Sequence, residues 1–197
     1  MPRIDSENFY TSAIEMYGIS AKGVNWNSKK SQHIRFKTIL EMLPENLTPF
    51  TVADAGCGFG DLFLYMQKKK KLPKTYIGID SLSDMFEIAS QRTGCKIIIA
   101  DICKDALPKA DYFVCSGAMN VLEKFETYQF IQNCYKASKI GFIFNILYGY
   151  KESQTYNYLT KKKIKQIADE LNIENVEMKR GYLENDITVA FFKKDIN

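Results

Sequence analysis

The stretch TVADAGCGFGDL, residues 51–62, joins a short apolar run to a glycine-rich turn. The run predicts a buried strand, and the residues after the turn predict the start of a helix. Glycine at positions 56, 58 and 60 lets the backbone turn sharply and approach a ligand closely, because no Cβ blocks the way. A strand, a glycine turn and a helix in this order predict a nucleotide-type ligand site at the end of the strand.

The spacing of the glycines differs from that of a dinucleotide site. Dinucleotide folds favour G-x-G-x-x-G around a pyrophosphate, whereas here Gly60 comes one residue early and Asp61 occupies the expected place of the third glycine. Asp54, two residues before Gly56, adds a carboxylate that would repel a pyrophosphate and attract a cation. The D-x-G-x-G-x-G pattern resembles the first motif of the class I S-adenosylmethionine (SAM)-dependent methyltransferases.

The resemblance continues at the ends of three further predicted strands. Residues 75–80 predict a second buried strand that ends in Asp80, and residues 96–102 predict a third that carries Asp101 and Ile102. Residues 111–120 predict a fourth. This order of strand ends is similar to that of the family, and a carboxylate after the second strand can accept both ribose hydroxyls of a nucleoside.

The resemblance implies contacts to SAM and to its product S-adenosylhomocysteine (SAH). It assigns the amino-acid end to the glycine loop and Asp54, the ribose to Asp80, and the adenine to Asp101 and Ile102. Trp26 and Asn27 are included as part of a closing cap. The full set implied to bind the cofactor is Trp26, Asn27, Asp54, Ala55, Gly56, Cys57, Gly58, Gly60, Asp80, Ser81, Met85, Asp101, Ile102 and Ser116.

Two members of this set have a structural alternative. An acid after a strand, such as Asp101, can simply cap the next turn. Met85 can equally well fill a gap in the core. The sequence leaves both alternatives open.

The sequence does not single out a general base. The catalytic candidates are Asn120, Tyr17 and His33, and the position of His33 inside a predicted helix favours an exposed or satisfied side chain. Asn120 and Val121 stand where several small-molecule methyltransferases carry an acid–histidine pair. The same stretch lacks the N/D-P-P-Y/F segment of the enzymes that methylate adenine amino groups and glutamine amides, so the sequence disfavours those reactions.

Segments with the apolar pattern of a strand alternate along the chain with segments that have the apolar pattern of a helix. This order predicts a doubly wound α/β fold with a mostly parallel seven-stranded sheet. Apolar stripes that include Phe125 and Leu159 predict two of its helices. The runs at 176–183 and 187–193 are joined by only three residues, which predicts a C-terminal antiparallel hairpin because a parallel crossover needs more. The family ends its sheet in the same way, with an inserted antiparallel strand.

The chain divides into two predicted units. Residues 1–46 form an N-terminal helical cap, with a helix at 28–43 and a mobile lid at 1–27, and residues 47–197 form the SAM-binding domain. Five cysteines without metal-type spacing indicate reduced thiols and no metal site. The sequence shows no signal or membrane-spanning segment, which predicts a cytoplasmic protein without a membrane partner.

The formal net charge is +4, and most of the basic residues are lysines. Proteins that bind nucleic acids usually contact the bases and phosphates with arginine side chains, so the scarcity of arginine disfavours a nucleic-acid partner. The prediction is an enzyme that transfers a methyl group from SAM to a small-molecule acceptor by in-line displacement. A methyltransferase acting on RNA or protein is the alternative, and the oligomeric state is left open. A nicotinamide dehydrogenase would need the later third glycine and usually a second catalytic domain, and the chain has neither.

Overall fold

The protein is built on one eight-stranded sheet with helices on both faces. The computed structural model describes residues 6–20, 23 and 28–194. In that part of the chain the strands are β1 (Thr51–Ala55), β2 (Thr75–Asp80), β3 (Lys96–Ile99), β4 (Ala110–Ser116), β5 (Ser138–Tyr148), β6 (Tyr158–Leu159), β7 (Asn175–Arg180) and β8 (Asp186–Phe192). The helices are α1 (Ser6–Tyr17), α2 (Lys29–Met42), α3 (Asp61–Lys68), α4 (Ser83–Thr93), α5 (Lys124–Ala137) and α6 (Lys161–Glu170), with a 3₁₀ helix at Ala118–Val121.

The strand order is β3-β2-β1-β4-β5-β8-β7, and β6 pairs with β5 outside this path. Neighbours among β1 to β5 run parallel, whereas β8 runs antiparallel to both β5 and β7. The mostly parallel doubly wound sheet and the C-terminal hairpin are thereby confirmed. The pair of residues in β6 adds an eighth strand to the seven that were predicted.

The β6 strand corrects the predicted start of the last helix. The apolar stripe predicts a helix that includes Leu159, but Leu159 pairs with Tyr148 of β5 and is buried in the sheet. The helix starts after it because the Thr160 side chain accepts a hydrogen bond from the backbone N–H of Lys163. A threonine cap of this kind marks the first residue before a helix.

Alternate residues of β4 show how the two faces of the sheet are filled. Phe113 and Cys115 lie in the apolar cluster on the α5 side, whereas Tyr112 and Val114 lie in the cluster on the α2 side. Because successive side chains of a strand point to opposite faces, burial of both sets requires a layer of helices on each side.

The predicted helix at 28–43 forms as α2, and Ser28 caps it by accepting from the backbone N–H of Ser31. Phe36, Ile39 and Leu40 pack in the same apolar cluster as the strand residue Val52. A helix inside residues 1–46 therefore covers the sheet itself. The division of the chain between residues 46 and 47 stays a prediction.

The apolar stripe predicts that Phe125 lies on the buried face of a helix, but 69% of its surface is exposed. It is in the first turn of α5, whose start is fixed by the reciprocal hydrogen bonds of a capping box between Glu123 and Glu126. The buried face of the helix consists of Thr127, Phe130, Ile131, Cys134 and Ala137.

A buried ion pair joins α2 to β8. The Arg35 guanidinium donates from Nε to Oδ1 of Asp186 at 2.8 Å and from its Nη2 to Oδ2 at 2.6 Å. Burial raises the pKa of Asp186, and the guanidinium opposes that rise.

Across the described residues, no helix has the length and apolar character needed to cross a membrane.

Candidate functional site

A cavity opens at the carboxyl ends of the central strands. The chain order reverses between β1 and β4, which are neighbours in the sheet, and ligands of open α/β sheets bind at such a reversal. Residues that follow β1, β2, β3 and β4 all border this cavity. The four strand ends singled out in the sequence therefore meet at one place.

The glycine turn is hydrogen-bonded to the neighbouring strand β2. The backbone N–H groups of Gly56 and Cys57 both donate to the carbonyl of Ile79, at 2.8 and 3.0 Å. Gly56 has a φ of +74°, and a Cβ built there would lie 2.3 Å from the Cβ of Ala118. Glycine is required at this position both by the backbone conformation and by the close approach of the 3₁₀ helix.

Asp80 holds the glycine turn from the end of β2. Its Oδ2 accepts from the backbone N–H of Gly58 at 2.9 Å, and its Oδ1 accepts from that of Leu82 at 3.2 Å. Burial raises the pKa of Asp80, and these backbone donors oppose the rise. The carboxylate thus borders the cavity and also shapes it, a second role that the resemblance did not imply.

Asp54 is buried at the end of β1 and borders the cavity. Its Oδ2 accepts from the Tyr76 hydroxyl at 2.5 Å. Burial raises the pKa of Asp54 to about 7, the Tyr76 hydroxyl opposes this rise, and the nearby charges of Asp80 and Asp61 add to it. A carboxylate in such surroundings is stabilised in its charged form by any cation that enters the cavity.

The residues after β3 combine the two roles that the sequence left open. The Asp101 side chain accepts from the backbone N–H of Cys103 at 2.9 Å and pairs with Lys104, so it does cap the turn. It also borders the cavity, as Ile102 does. Met85 is likewise both 2% exposed and part of the cavity wall.

Most of the predicted cofactor residues border the cavity. These are Asp54, Gly56, Cys57, Gly58, Asp80, Ser81, Met85, Asp101, Ile102 and Ser116. Ala55 and Gly60 are buried and lie outside its lining, although Gly60 carries the turn into α3 with a φ of +76°. Trp26 and Asn27 lie outside the described residues.

The three catalytic candidates separate in space. Asn120 borders the cavity, whereas Tyr17 and His33 are not among its lining residues. Tyr17 ends α1 with 47% of its surface exposed. The His33 ring lies 5.0 Å from that of Tyr65 between centroids, and burial, followed by the charge of Lys29, lowers its pKa.

The orientation of the Asn120 amide is fixed by the backbone of β5. Its Oδ1 accepts from the N–H of Leu147 at 3.1 Å, a contact that the amide nitrogen could not make. Within the described part of the chain, no residue accepts a hydrogen bond from Asn120 Nδ2. The amide therefore presents a donor beside the cavity.

Further cavity residues come from segments that the motifs did not mark. They include Phe9 of α1, Gln32, Arg35 and Phe36 of α2, Phe130 of α5, and Tyr156 before β6. Gln32 and Arg35 are polar residues spaced by three on the otherwise apolar side of a predicted helix, which is the signal that could have indicated them. Gln32 Nε2 also donates to Asp61 at 3.1 Å and ties α2 to the start of α3.

Similarity to known proteins extends over much of the chain. Residues 52–141 match a family described as a methyltransferase domain. A Mycobacterium tuberculosis protein described as a methyltransferase is 32% identical over 113 residues, which cover 53% of this chain and 68% of that protein.

Two solved structures have a similar fold. The magnesium protoporphyrin IX methyltransferase of Synechocystis, solved with SAH, is 15% identical at a TM-score of 0.72, and the match covers 95% of this chain and 97% of the other. Human N-acetylserotonin methyltransferase, solved with SAM, is 13% identical at a TM-score of 0.64, with coverage of 92% and 62%. The sheet order and the sequence similarity lead to one conclusion: the chain belongs to the class I S-adenosylmethionine-dependent methyltransferases.

Proposed function

We propose that the protein transfers the methyl group of SAM to a small-molecule acceptor held in this cavity. The observation that carries the proposal is the continuity of one cavity from the glycine turn to side chains of α1, α2 and the segment before β6. The methyl group of SAM is already activated by its sulfonium. The protein must therefore mainly align donor and acceptor and exclude water.

The cofactor would lie across the strand ends. In this arrangement the Asp54 carboxylate holds the ammonium group of the amino-acid end, the backbone of the glycine turn packs closely against that end, and Asp80 accepts the ribose hydroxyls. Ile102 and Met85 pack against the adenine, and Asp101 accepts from its amino group. The burial of Asp54 and Met85 and the fixed position of the Asp80 carboxylate support these roles.

The acceptor would lie on the side of the cavity that faces the N-terminal helices. Phe9, Phe36 and Tyr156 supply aromatic surface there, and the amide of Asn120 supplies a fixed hydrogen-bond donor. Such a donor suits an oxygen atom on the acceptor. This side of the cavity would set the choice of acceptor, since an apolar pocket with a few placed polar groups is the usual form of a small-molecule site.

The charges around the cavity favour a small acceptor over RNA. Its described lining contains the four carboxylates of Asp54, Asp61, Asp80 and Asp101, of which Asp61 is paired with Arg92 and Asp101 with Lys104. The lining contains a single guanidinium, that of Arg35, which is paired with Asp186, so this part of the cavity offers little positive charge to a polyanion. The two similar structures described above are named as methyltransferases of small molecules, magnesium protoporphyrin IX and N-acetylserotonin. By analogy, these names support a small-molecule acceptor for this protein as well.

The free cysteines Cys57, Cys95, Cys103, Cys115 and Cys134 fit a reducing compartment, and we place the activity in the cytoplasm.

Binding and transfer can be tested separately. Calorimetry should show that SAM and SAH bind the purified protein and that NAD does not. Incubation with SAM labelled on its methyl group, together with a cell extract separated into small molecules, RNA and protein, should place the label in the small-molecule fraction. Tight NAD binding without SAM binding would refute the proposed donor, and label in RNA or protein would refute the proposed acceptor.

A further inference from the structure

The carboxylate of Asp54 is hydrogen-bonded to a second buried side chain, that of Tyr76. Tyr76 lies on β2, two residues before the position that pairs with Asp54, and only 4% of it is exposed. Its hydroxyl donates to Asp54 Oδ2, so one oxygen of the carboxylate is held by the protein. Among the described residues no donor reaches the other oxygen, Oδ1.

The ring of Tyr76 is fixed independently of this hydrogen bond. It packs on the Phe63 ring with 5.0 Å between centroids and belongs to the apolar cluster on the α2 side of the sheet. The Tyr76 side chain extends along β2 toward the cavity end of the sheet, where its hydroxyl reaches Asp54. A rigid tyrosine of this kind can fix the plane of the Asp54 carboxylate, because a hydrogen bond to one oxygen restricts rotation of the group.

In the described part of the chain, no cationic side chain is found to interact with the Asp54 carboxylate. The ionisable side chains there that interact with this carboxylate are Tyr76 and Asp80 on β2, Asp61 on α3, Cys57 in the glycine turn and Cys115 on β4. None of these five can carry a positive charge. A ligand with an ammonium group would therefore supply the missing counter-charge at Oδ1.

We infer that Tyr76 is a positioning residue for the cofactor, whose hydroxyl orients the Asp54 carboxylate toward the ammonium group of SAM. The inference rests on the proposed function, because it takes the amino-acid end of SAM as the ligand of Asp54. It adds a residue that itself lies outside the cavity lining. Tyr76 acts on the ligand through Asp54 and not by contact.

Two ligands that differ in the amino-acid end can isolate this role. SAH contains the ammonium group, whereas 5′-methylthioadenosine keeps the adenosine and the sulfur but lacks the whole amino-acid end. Calorimetry near neutral pH should show that Tyr76→Phe weakens SAH binding by about tenfold and leaves 5′-methylthioadenosine within about twofold. A tyrosine needed only for folding would affect both ligands alike.

Tyr112→Phe is a matched control. Tyr112 and Tyr76 flank the same residue, Val52, from the two strands beside β1, and both are buried in the same apolar cluster. Removal of the Tyr112 hydroxyl should leave both affinities unchanged, because the hydroxyl bound to Asp54 is that of Tyr76. Tyr76→Phe added to Asp54→Asn should cause no loss of SAH affinity beyond that of Asp54→Asn alone.

The outcomes separate the two hypotheses. Unmodified protein that binds neither ligand would refute the proposed function. Normal binding by the unmodified protein, with SAH affinity in folded Tyr76→Phe within about twofold of normal, would refute the role of Tyr76 alone. Equal weakening of both ligands, or a further loss in the Asp54→Asn background, would also overturn that role.

Discussion

The buried carboxylate of Asp54 makes the stability of the ligand-free protein depend on pH. Burial raises its pKa from 3.8 to about 7, so the folded protein binds this proton more tightly than the unfolded chain does. A group of this kind contributes its full stability below its unfolded pKa, and the contribution is lost as pH rises through the folded pKa. For Asp54 the loss falls between about pH 4 and pH 7.

Asp54→Asn should therefore stabilise the ligand-free protein at about pH 8 by about 2–4 kcal/mol more than it does at about pH 4, because asparagine has no proton to lose. Urea unfolding at the two pH values measures the difference. The comparison of Asp54→Asn with the unmodified protein at the lower pH is the control for effects of the amide itself. A stability difference that is the same at both pH values would contradict the argument.

A second prediction concerns Asp80, which borders the cavity and accepts from the glycine turn through Oδ2 and from the backbone of Leu82 through Oδ1. Loss of a buried hydrogen bond to a charged acceptor costs about 1.5–3 kcal/mol, so Asp80→Ala should weaken SAM binding more than tenfold while the protein remains folded. Calorimetry with SAM is the measurement. Asp84→Ala removes an exposed acid on α4 that does not border the cavity and should change the affinity little.

The glycine turn between β1 and α3 can be tested as an element. Gly56→Ala would place a methyl group 2.3 Å from the Cβ of Ala118 in addition to straining a φ of +74°. We expect at least about 2 kcal/mol of destabilisation together with the loss of SAH binding.

Gly94, which ends α4, is the matched control for Gly56. Its φ is +64°, but a Cβ there would meet nothing within 4 Å. Gly94→Ala should thus cost only the strain of the left-handed conformation, about 1 kcal/mol, and leave SAH binding intact. Equal effects of the two substitutions on SAH binding would show that the approach to Ala118 does not matter.

Elements with a strong local pattern were predictable from the sequence, and elements created by contacts were not. The glycine turn, the start of α2 after Ser28 and the C-terminal hairpin follow from turn residues, a cap and a short connection. The strand β6 exists only because Tyr158 and Leu159 meet the end of β5. The exposure of Phe125 depends on where the α5 helix starts, which its apolar period does not specify.

The same difference holds for the site. The strand-end acids and glycines were visible as motifs, and the structure brings most of them to the cavity. The spacing of Gln32 and Arg35 on the apolar side of a predicted helix marks them as unusual, but their place at the cavity depends on how α2 packs across the sheet. His33, in the same helix, instead packs on Tyr65.

Arg35 and Asp186 join distant parts of the chain into one molecule. The helix that carries Arg35 precedes the first strand, and the strand that carries Asp186 is the last one in the chain. The two side chains are only 11% and 3% exposed, so neither charge can be solvated well if its partner is removed. An unpaired buried charge is costly, whereas loss of both charges together costs much less.

Arg35→Met should accordingly lower the free energy of unfolding by about 3–5 kcal/mol, and Asp186→Leu by a similar amount. The double variant should lose clearly less than the sum of the two single losses, because no charge is then left buried. Urea unfolding of the four proteins measures this coupling. The exposed pair of Lys194 and Glu174 provides the comparison, since Glu174→Gln should change stability by less than about 1 kcal/mol. Additive losses would mean that the two charges do not depend on each other, and that the packing of α2 against β8 is held by apolar contacts alone.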